Sequence, residues 1–313
     1  MFNIMKNKLR IVIAKNFYLL NFFIKLRSIL NPDKDETGGT SDPNYIYSLF
    51  LRTFDNYYNI NKNIPKHVLE VGCGDSNIVS LLWVLVGSES VVSIDAFNYL
   101  KKNKMYSLFK KSSDLLISRN FCQMNINPKL NLDVYENLWN VLPSKDILIN
   151  RQKLILEEIQ NYLTGNDSNL FSYDPSYTIN KVFPFKFDLI FSQAVFEHVE
   201  NPKEVLVFLH NNLTEKGIMY TDVDFKSHGV STLYNGHYIL NESQYKSISS
   251  PFVFRYINRL PPSWFREVFE SSFNLIQEEK IILENNIKLN EVKLNNLIES
   301  DLEVGSSLFI SSK

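Results

Sequence analysis

The pattern of hydrophobic and polar residues is most regular between residues 67 and 95. An unbroken apolar run opens this stretch, which is typical of a strand buried in a parallel sheet. Apolar positions at helical spacing follow over residues 78–85, and Ser76 or Asn77 can cap that helix. A second apolar run ends at Asp95. The stretch therefore predicts strand, turn, helix and strand, which is the repeating unit of an α/β fold.

The turn between the first strand and the helix carries candidate ligand-binding residues. Gly72 and Gly74 permit a tight backbone turn and the close approach of a ligand. Asp95 lies at the carboxyl end of the second strand, where an acidic side chain can accept hydrogen bonds from ribose hydroxyls. A dinucleotide site requires a third glycine where Asn77 stands, so a nicotinamide cofactor is disfavoured. Glu70, two residues before the first glycine, suits a cationic ligand.

The same pattern extends the predicted sheet along the chain. Further strands are predicted over residues 169–173, 187–192, 217–223 and 307–310. Helices are predicted over residues 45–58, 100–116, 132–141, 147–163 and 202–212. Residues 97–166 lack regular alternation of strands and helices and are longer than a simple crossover, so we expect a helical insertion there.

Residues 1–44 differ from the rest of the chain. The first thirty residues contain six basic residues and no acid, and their uncharged runs are too short to span a bilayer. This basic, amphipathic segment has two interpretations, which are peripheral contact with an anionic membrane and packing on the domain or a partner subunit. Residues 31–44 predict a linker or a lid, because Pro, Gly, Asp and Asn break regular structure. We therefore expect an N-terminal segment over 1–44 and one domain over 45–313.

The composition of the chain argues against several classes of protein. The net charge is -1 over 313 residues, and no basic stripe is present, so nucleic acid is not expected as a partner. The cysteines are Cys73 and Cys122, too few for a disulfide framework, which predicts a reducing, cytoplasmic location. The histidines and cysteines show none of the short spacings of metal sites, so no metal is expected. The carboxylates near His228 could still recruit a divalent ion, which leaves metal dependence open.

Residues 187–224 contain a second set of motifs. An apolar strand leads to a polar corner, an E-H-V run at residues 197–199 follows, and Gly217 opens the next strand. In this order after the glycine turn and Asp95, these motifs resemble class I S-adenosylmethionine-dependent methyltransferases over most of residues 65–224. The resemblance implies a Rossmann-like, doubly wound, seven-stranded, mostly parallel sheet, with a helical insertion and an N-terminal helical extension. It also implies methyltransferase activity, with S-adenosyl-L-methionine as the cofactor.

The resemblance further implies which residues hold the cofactor. Glu70 and the backbone of the glycine turn would bind the methionine end, Asp95 the ribose, and Ala96 would lie beside adenine. Ser76 stands where the family often has a third glycine. The acidic residue near the adenine amine is Asp174 or, with a shifted register, Tyr177, and we favour Asp174. The full set of expected cofactor-binding residues is Glu70, Gly72, Cys73, Gly74, Asp95, Ala96, Asp174, Ser192 and Gln193.

Methyl transfer to a hydroxyl requires an aligned acceptor and a group that takes its proton. His228 follows the fifth predicted strand, with Asp224 just upstream, so we predict His228 as the base and Asp224 as the residue that orients it. His198 in the E-H-V run is the second candidate. Each histidine also has a structural interpretation, in which it braces a loop or a helix.

The acceptor is predicted from the C-terminal motifs only by resemblance. Asp222, Trp264 and the residues around them resemble a subgroup of stand-alone methyltransferases linked to surface-polysaccharide assembly. This predicts O-methylation of a sugar or glycan-linked intermediate. The alternatives are another small metabolite, a lipid head group or an amine as acceptor, and a non-catalytic domain that binds the cofactor or a partner. The sequence does not identify the methylated atom or the oligomeric state. Any contact with a membrane would be made by residues 1–30, on the inner face of that membrane.

Overall fold

A computed structural model describes residues 12, 13, 16, 18, 19, 22, 39–121, 132–175, 182–249 and 256–313. Its described strands form one seven-stranded sheet in the order β3-β2-β1-β4-β5-β7-β6. Strand β1 pairs in parallel with β2 and β4, and β2 pairs in parallel with β3. This confirms the predicted Rossmann-like sheet. The strands are β1 (His67–Val71), β2 (Ser90–Ile94), β3 (Phe171–Asp174), β4 (Phe187–Gln193), β5 (Leu213–Asp224), β6 (Asn274–Ile282) and β7 (Val304–Ser312).

The helices of the described residues lie before, between and after these strands. Short 3₁₀ helices are also present, and one of them, Phe196–His198, follows β4. The α-helices are α1 (Pro43–Asn61), α2 (Ile78–Val86), α3 (Lys102–Ser118), α4 (Leu132–Val141), α5 (Lys145–Leu163), α6 (Pro202–Asn211), α7 (Glu242–Ile248) and α8 (Pro262–Ser272).

Strand β5 begins earlier than the sequence predicted. The strand was predicted over residues 217–223, with a turn before it, but residues 213–216 already belong to the strand. The Thr214 hydroxyl donates to Asp188 of β4 at 3.0 Å, which ties this end of β5 to its neighbour. Gly217 is required there, because a Cβ atom would lie 2.8 Å from the carbonyl oxygen of Phe187. The glycine therefore marks a close approach of two strands and not a turn.

Helix α1 packs its aromatic side chains on Trp83 of α2. Phe50 and Phe54 have ring centroids 5.2 and 5.5 Å from that of Trp83, and Tyr57 lies at 5.9 Å. Asp42 caps the helix by accepting the Asn44 N–H at 2.8 Å, as an N-cap aspartate should. The aromatic stripe of α1 thus belongs to the core.

Helices α3, α4 and α5 occupy the stretch between β2 and β3, close to the bounds predicted for them. Gln152 of α5 donates through Nε2 to the Ser113 hydroxyl and the Asp114 carboxylate of α3, at 2.6 and 2.8 Å. A long polar side chain therefore fixes α5 against α3. That this stretch is an insertion about residues 97–166 stays a prediction.

By packing, the chain divides into two compact units. The larger unit comprises Glu36–Gln193, Val205–Thr221 and Ile310–Lys313. The smaller unit comprises Met1–Asp35, Ala194–Glu204 and Asp222–Phe309. This division differs from the expected boundary at residue 44, which stays a prediction.

The N-terminal segment is described at only a few positions. Ile13 is buried in a cluster of the smaller unit with Val230, Leu240, Tyr245 and Ile257, which favours packing for this position. Its neighbours Val12, Tyr18, Leu19 and Phe22 are exposed. No helix in the described part of the chain has the length and apolarity needed to cross a membrane. The expected membrane contact of residues 1–30 falls mostly outside the described residues, as do Cys122 and Tyr177, and it stays a prediction.

Candidate active site

The turn after β1 has the backbone conformation that the sequence predicted. Gly72 and Gly74 have φ angles of 71° and 61°, in the left-handed region that favours glycine. The Gly72 N–H donates to the carbonyl oxygen of Ile94 at 2.8 Å, which joins the turn to the end of β2. A Cβ atom at either glycine would strain this conformation.

Asp95 holds the same turn from the end of β2. Its Oδ2 accepts the Gly74 N–H at 3.0 Å, and its Oδ1 accepts the Phe97 N–H at 3.2 Å. Burial raises the pKa of Asp95, while the backbone N–H groups of Gly74, Phe97 and Ala96 oppose this shift. A carboxylate has about four lone-pair sites, so Asp95 retains the capacity to accept a hydrogen bond from a ribose hydroxyl.

Glu70 lies inside the larger unit beside β2. Its register partner on that strand is Ser93, and its Oε2 accepts hydrogen bonds from the hydroxyls of Ser80 and Ser93 at 2.5 and 3.4 Å. Burial raises the pKa of Glu70 to about 7, against the opposing effect of these hydroxyls. The carboxyl is therefore partly protonated near neutral pH. The sequence suggested that Glu70 offers a negative charge to the methionine end of the cofactor. Glu70 can do so only if cofactor binding ionises its carboxyl group.

The raised pKa of Glu70 predicts a pH-dependent stability. The folded-state pKa of about 7 exceeds the ordinary value of 4.5, so this group stabilises the fold at low pH and loses that contribution as pH rises through 7. Glu70→Gln imitates the protonated side chain. We expect its melting temperature to equal that of the wild type at pH 4 and to exceed it by a few degrees at pH 8, measured by thermal denaturation.

Glu89→Gln is the matched control for this measurement, because Glu89 makes the same charge change at an exposed position beside Lys66. The interpretation is wrong if Glu70→Gln and wild type keep the same difference in melting temperature at both pH values.

The other expected cofactor residues of the first three strands lie around the turn. Cys73 is a buried free thiol whose pKa is raised by burial. Ala96 is exposed just after Asp95. Asp174 ends β3, and its backbone carbonyl accepts the Asp95 N–H at 2.9 Å. The structure thus brings Asp174 beside the ribose candidate through its backbone, while the predicted adenine contact of its side chain stays a prediction.

Ser192 and Gln193 end β4, as expected. Ser192 is buried, and its hydroxyl has no hydrogen-bond partner among the described residues. Gln193 accepts a hydrogen bond through Oε1 from the guanidinium of Arg52 on α1. Arg52 is 2% exposed and was not singled out in the sequence, where it stands within an aromatic helix. An unpartnered buried hydroxyl at a strand end fits a polar ligand.

Asn77 precedes α2 without capping it. It occupies the N-cap position, but its side chain makes no capping hydrogen bond. Both polar atoms of its amide are buried and have no partner in the described part of the chain. This corrects the expectation that Ser76 or Asn77 caps the helix, because the Ser76 hydroxyl donates to the Thr40 carbonyl at 2.6 Å instead. Unpaired polar atoms at this turn again fit a polar ligand.

The end of the predicted linker contacts the glycine turn. The Thr40 hydroxyl accepts the Asp75 N–H at 3.2 Å, and the Ser41 hydroxyl donates to the Asp75 carboxylate at 3.3 Å. Lys101 pairs with the same carboxylate at 3.1 Å. The part of the linker that is described therefore packs on the turn.

A second group of predicted residues comes together in the smaller unit. Glu197 and His198 lie in the 3₁₀ turn after β4, and His228 lies in the loop after β5. The Glu197 Oε1 atom is 3.6 Å from His228 Nε2 and 3.8 Å from His198 Nε2. The two imidazole rings meet edge to face, with centroids 4.8 Å apart. The sequence predicted both histidines as candidates, but it assigned no role to Glu197.

Asn258 fixes the turn that carries Glu197 and His198. Its amide donates to the carbonyl oxygens of Phe196 and Val199 at 2.7 and 2.8 Å, and its N–H donates to the Glu197 carbonyl at 2.7 Å. The neighbouring carbonyl of Tyr256 lies 2.6 Å from His198 Nδ1. Because a carbonyl only accepts, Nδ1 of His198 carries the proton and Nε2 presents a lone pair toward Glu197.

His228 is held in an unusual backbone conformation. Its φ angle is 43° and that of Gly229 is 84°, and the Val230 N–H donates to the Ser227 carbonyl at 2.7 Å. Two successive positive φ angles inside such a bond are the mark of a type I′ turn. A left-handed histidine costs free energy, and strain of this kind is concentrated at functional sites.

Asp224 does not orient His228 by a hydrogen bond to Nε2. The distance from Asp224 Oδ2 to His228 Nε2 is 3.8 Å, while the same carboxylate accepts the Lys226 N–H and ammonium, each at 2.8 Å. The backbone of Asp224 does hydrogen-bond the His228 imidazole and opposes the fall in its pKa, so the orienting role of Asp224 stays a prediction. Asp224 remains within the cluster as a nearby negative charge.

Burial dominates the electrostatics of this cluster. It lowers the pKa of both His228 and His198, with Asp224 opposing the shift in each case. Burial raises the pKa of Glu197, and the negative charge of Asp224 raises it further. At neutral pH the imidazoles are neutral, so the contacts of Glu197 with them are not ion pairs.

Comparison with known proteins agrees with this architecture. Residues 45–271, more than half of the chain, match the family described as "Methyltransferase domain". The chain therefore belongs to this family and is a class I S-adenosylmethionine-dependent methyltransferase. The expected fold, enzyme class and cofactor are thereby confirmed.

Several solved structures are similar to this chain at low identity, and no curated protein matches it. A complex of plantazolicin methyltransferase BamL with a triazolic desmethylPZN analog and SAH has 13% identity and a TM-score of 0.44, covering 96% of this chain and 98% of that chain. N-methyltransferase NodS from Bradyrhizobium japonicum WM9 with S-adenosyl-L-homocysteine has 8% identity and a TM-score of 0.39, covering 89% and 88%. The complex of the Haloferax volcanii Trm112 methyltransferase activator and a methyltransferase has 12% identity and a TM-score of 0.41, covering 88% and 92%.

Proposed function

We propose that this methyltransferase transfers the methyl group of S-adenosylmethionine to a hydroxyl group. The observation that carries the proposal is the cluster of Glu197, His198 and His228, which places two neutral imidazoles and a buried carboxyl together. A neutral amine already has a free electron pair, whereas a hydroxyl must lose its proton as it attacks. Neutral imidazoles can take up this proton, so the cluster is suited to a hydroxyl acceptor.

The larger unit supplies the proposed cofactor contacts. The bound cofactor would provide an electrophilic methyl group on its sulfonium. Asp95 would accept a hydrogen bond from the ribose, and Gly72 and Gly74 would let the backbone lie against the ligand. Glu70 would ionise when the cationic end binds, and the buried hydroxyl of Ser192 would gain a partner. Cys73, Ala96, Asp174 and Gln193 complete the proposed set.

The smaller unit supplies the proposed activation of the acceptor. We propose that His228 Nε2 takes the hydroxyl proton when no metal ion occupies the cluster. His198 is the second candidate for this base. The hydroxyl oxygen would then bond to the methyl carbon as the C–S bond breaks, and the electron pair of the C–S bond would stay on sulfur. Asp224 stabilises the imidazolium by its charge at 3.8 Å.

A sugar or glycan-linked intermediate is the proposed acceptor class, and the support for it is the resemblance of the C-terminal motifs. The protein is proposed to act in a reducing, cytoplasmic location, which fits the buried free thiol of Cys73. A small-molecule acceptor of another kind, such as a lipid head group, uses the same chemistry and is the alternative.

The proposal is tested by identifying the atom that receives the methyl group. The full chain is incubated with S-adenosylmethionine carrying a labelled methyl and with sugars, sugar-lipids, amines and peptides as acceptors. We expect label in a methyl ether of a sugar hydroxyl, located by tandem mass spectrometry and NMR.

The Asp95→Asn variant is the negative control for cofactor-dependent transfer. Label found on nitrogen or on a carboxylate, with the hydroxyl acceptors unlabelled, would overturn the proposal of O-methylation. Label on a lipid head-group hydroxyl would keep the chemistry and replace the acceptor class.

A further inference from the structure

We propose that Glu197, His198 and His228 form a binding site for one first-row divalent transition-metal ion, with Asp224 at its edge. One potential ligand atom from each of the three side chains lies within 4.8 Å of the other two. Zn²⁺ binds imidazole nitrogen and carboxylate oxygen at about 2.1 Å, so ligands of one tetrahedral ion are about 3.4 Å apart. The distances of 3.6 and 3.8 Å from Glu197 Oε1 to the two Nε2 atoms are close to this spacing.

Two of the three proposed ligands, Glu197 and His228, present atoms without a hydrogen-bond partner among the described residues. Glu197 is 3% exposed, and neither of its carboxylate oxygens has a well-aligned hydrogen-bond partner among the described residues. The backbone N–H groups of Glu197 and Asp224 are close enough to oppose the rise in its pKa. The Nε2 atom of His228 is likewise buried and makes no hydrogen bond within the described part of the chain. Buried polar atoms are nearly always satisfied, so three unsatisfied atoms that face one another indicate a missing partner.

The chemistry of the cluster identifies that partner as a cation. Glu197 and Asp224 are two acidic side chains, and the Nε2 atom of His198 presents a lone pair toward Glu197. Lys226 pairs with Asp224, with its ammonium 2.8 Å from Oδ2. A buried carboxylate is costly unless it is paired or coordinates a metal ion. A divalent cation between Glu197 and the two imidazoles would be such a partner.

The second contacts of the histidines suit metal ligation. His198 donates from Nδ1 to the Tyr256 carbonyl, which fixes the tautomer with a lone pair on Nε2. Ligating histidines in proteins are usually held in this way by a carbonyl or a carboxylate. Asn258 fixes the turn beneath His198 and Glu197, and the turn at residues 227–230 fixes His228 in its left-handed conformation.

The donor set selects the kind of ion. Two imidazoles and one carboxylate favour Zn²⁺, Fe²⁺, Mn²⁺ or a similar ion, whereas Mg²⁺ and Ca²⁺ prefer oxygen ligands throughout. Three protein ligands also leave coordination positions open.

The proposed role of the ion rests on the proposed function of O-methyl transfer. A metal-bound hydroxyl loses its proton far more readily than a free one. The ion would hold the acceptor oxygen and the proton would pass to water, while His228 would be a ligand and no longer the base. Metal binding itself does not depend on this role.

The proposal is tested by metal titration of the full chain after treatment with a chelator. Co²⁺ serves as the spectroscopic probe and Zn²⁺ as the calorimetric one. We expect one ion per chain, with visible absorption bands of Co²⁺ bound to nitrogen and oxygen ligands. Glu197→Gln, which keeps the shape and removes the charge, should weaken binding by at least about 10-fold, and His228→Asn should do the same.

The control variant is His210→Gln, because His210 contacts the Ser312 carbonyl and is not part of the cluster. Its metal affinity should equal that of the wild type. The metal-free Glu197→Gln protein should melt no lower than the metal-free wild type, since the substitution removes a buried unpartnered carboxyl. This result excludes unfolding as the cause of weaker binding.

Equal uptake of Co²⁺ by wild type and Glu197→Gln, or no uptake by either, would overturn the metal site. The outcome for O-methylation is separate. One bound ion without labelling of any hydroxyl would keep the site and reject the proposed function. Labelling of a hydroxyl by a protein that binds no ion would keep the function and reject the site.

Discussion

Replacing His228 by asparagine is expected to lower the turnover number by at least about 100-fold, which is the usual contribution of a general base or a metal ligand. His228 Nε2 faces Glu197 at 3.6 Å, and no described residue hydrogen-bonds to it. Asparagine is chosen because it tolerates the left-handed backbone at this position, where φ is 43°. The turnover number is measured at saturating cofactor with the acceptor found in the labelling experiment.

Cofactor affinity separates this effect from unfolding. The cofactor residues lie in the larger unit, so the dissociation constant of S-adenosylhomocysteine should be unchanged in His228→Asn, measured by calorimetry. His210→Asn is the matched control and should keep full turnover. Full turnover in His228→Asn would remove His228 from the active site. Weaker binding of S-adenosylhomocysteine would identify His228 as a structural residue.

The same variant distinguishes a base from a ligand when it is combined with metal removal. If His228 is a ligand, chelator treatment of the wild type lowers turnover to the level of His228→Asn, and added Zn²⁺ restores the wild type only. If His228 is the base, chelator treatment leaves the wild type unchanged.

Local sequence patterns predicted the first half of the sheet well, for a physical reason. Strands β1, β2 and β4 are central and buried, so their residues are apolar almost without interruption. The glycine turn also depends on local backbone geometry alone, since φ is positive at Gly72 and Gly74. Features that are determined within a few residues can be inferred from those residues.

The edge of the sheet was predicted less well. Strand β6 (Asn274–Ile282) was not singled out, because it has alternating exposure and the charged residues Glu278, Glu279 and Lys280 break its apolar run. The start of β5 was placed too late, because Gly217 is typical of a turn as well as of two strands in close approach. In both cases the deciding contact is with a neighbouring strand.

The candidate site was found only in part for the same reason. His198 and His228 are visible as histidines near strand ends, but Glu197 acquires its role from burial beside both. The sequence analysis assigned Glu197 no role, and its expectation of no metal rested on spacing along the chain. The three ligand candidates come from two segments separated by β5, and Asn258 comes from a third. Spacing rules cannot detect a cluster that tertiary structure assembles.

Replacing Asp95 by asparagine is expected to weaken cofactor binding on the order of 100-fold, because hydrogen bonds to a charged carboxylate contribute about 1.5–3 kcal/mol each. A ligand at about 100 times its dissociation constant stabilises the folded state by about 2.7 kcal/mol, so thermal denaturation reports the loss directly. The wild type should melt higher with S-adenosylmethionine or S-adenosylhomocysteine and be unaffected by NAD. Asp95→Asn should show almost no shift at the same concentrations. Asp114→Asn, which alters a half-exposed acid on α3, should behave as the wild type.

Asp95 also holds the glycine turn, so weaker binding alone does not identify it as the ribose ligand. The 2′,3′-dideoxy analogue of S-adenosylhomocysteine separates the two roles, because it lacks the hydroxyls that Asp95 is proposed to accept. If Asp95 binds the ribose, the wild type prefers S-adenosylhomocysteine to the analogue, and Asp95→Asn binds the two with nearly equal affinity. If Asp95 only braces Gly74 and Phe97, both ligands weaken by the same factor and the preference persists. A double-mutant cycle of this kind measures the interaction itself, since effects on the turn cancel between the two ligands.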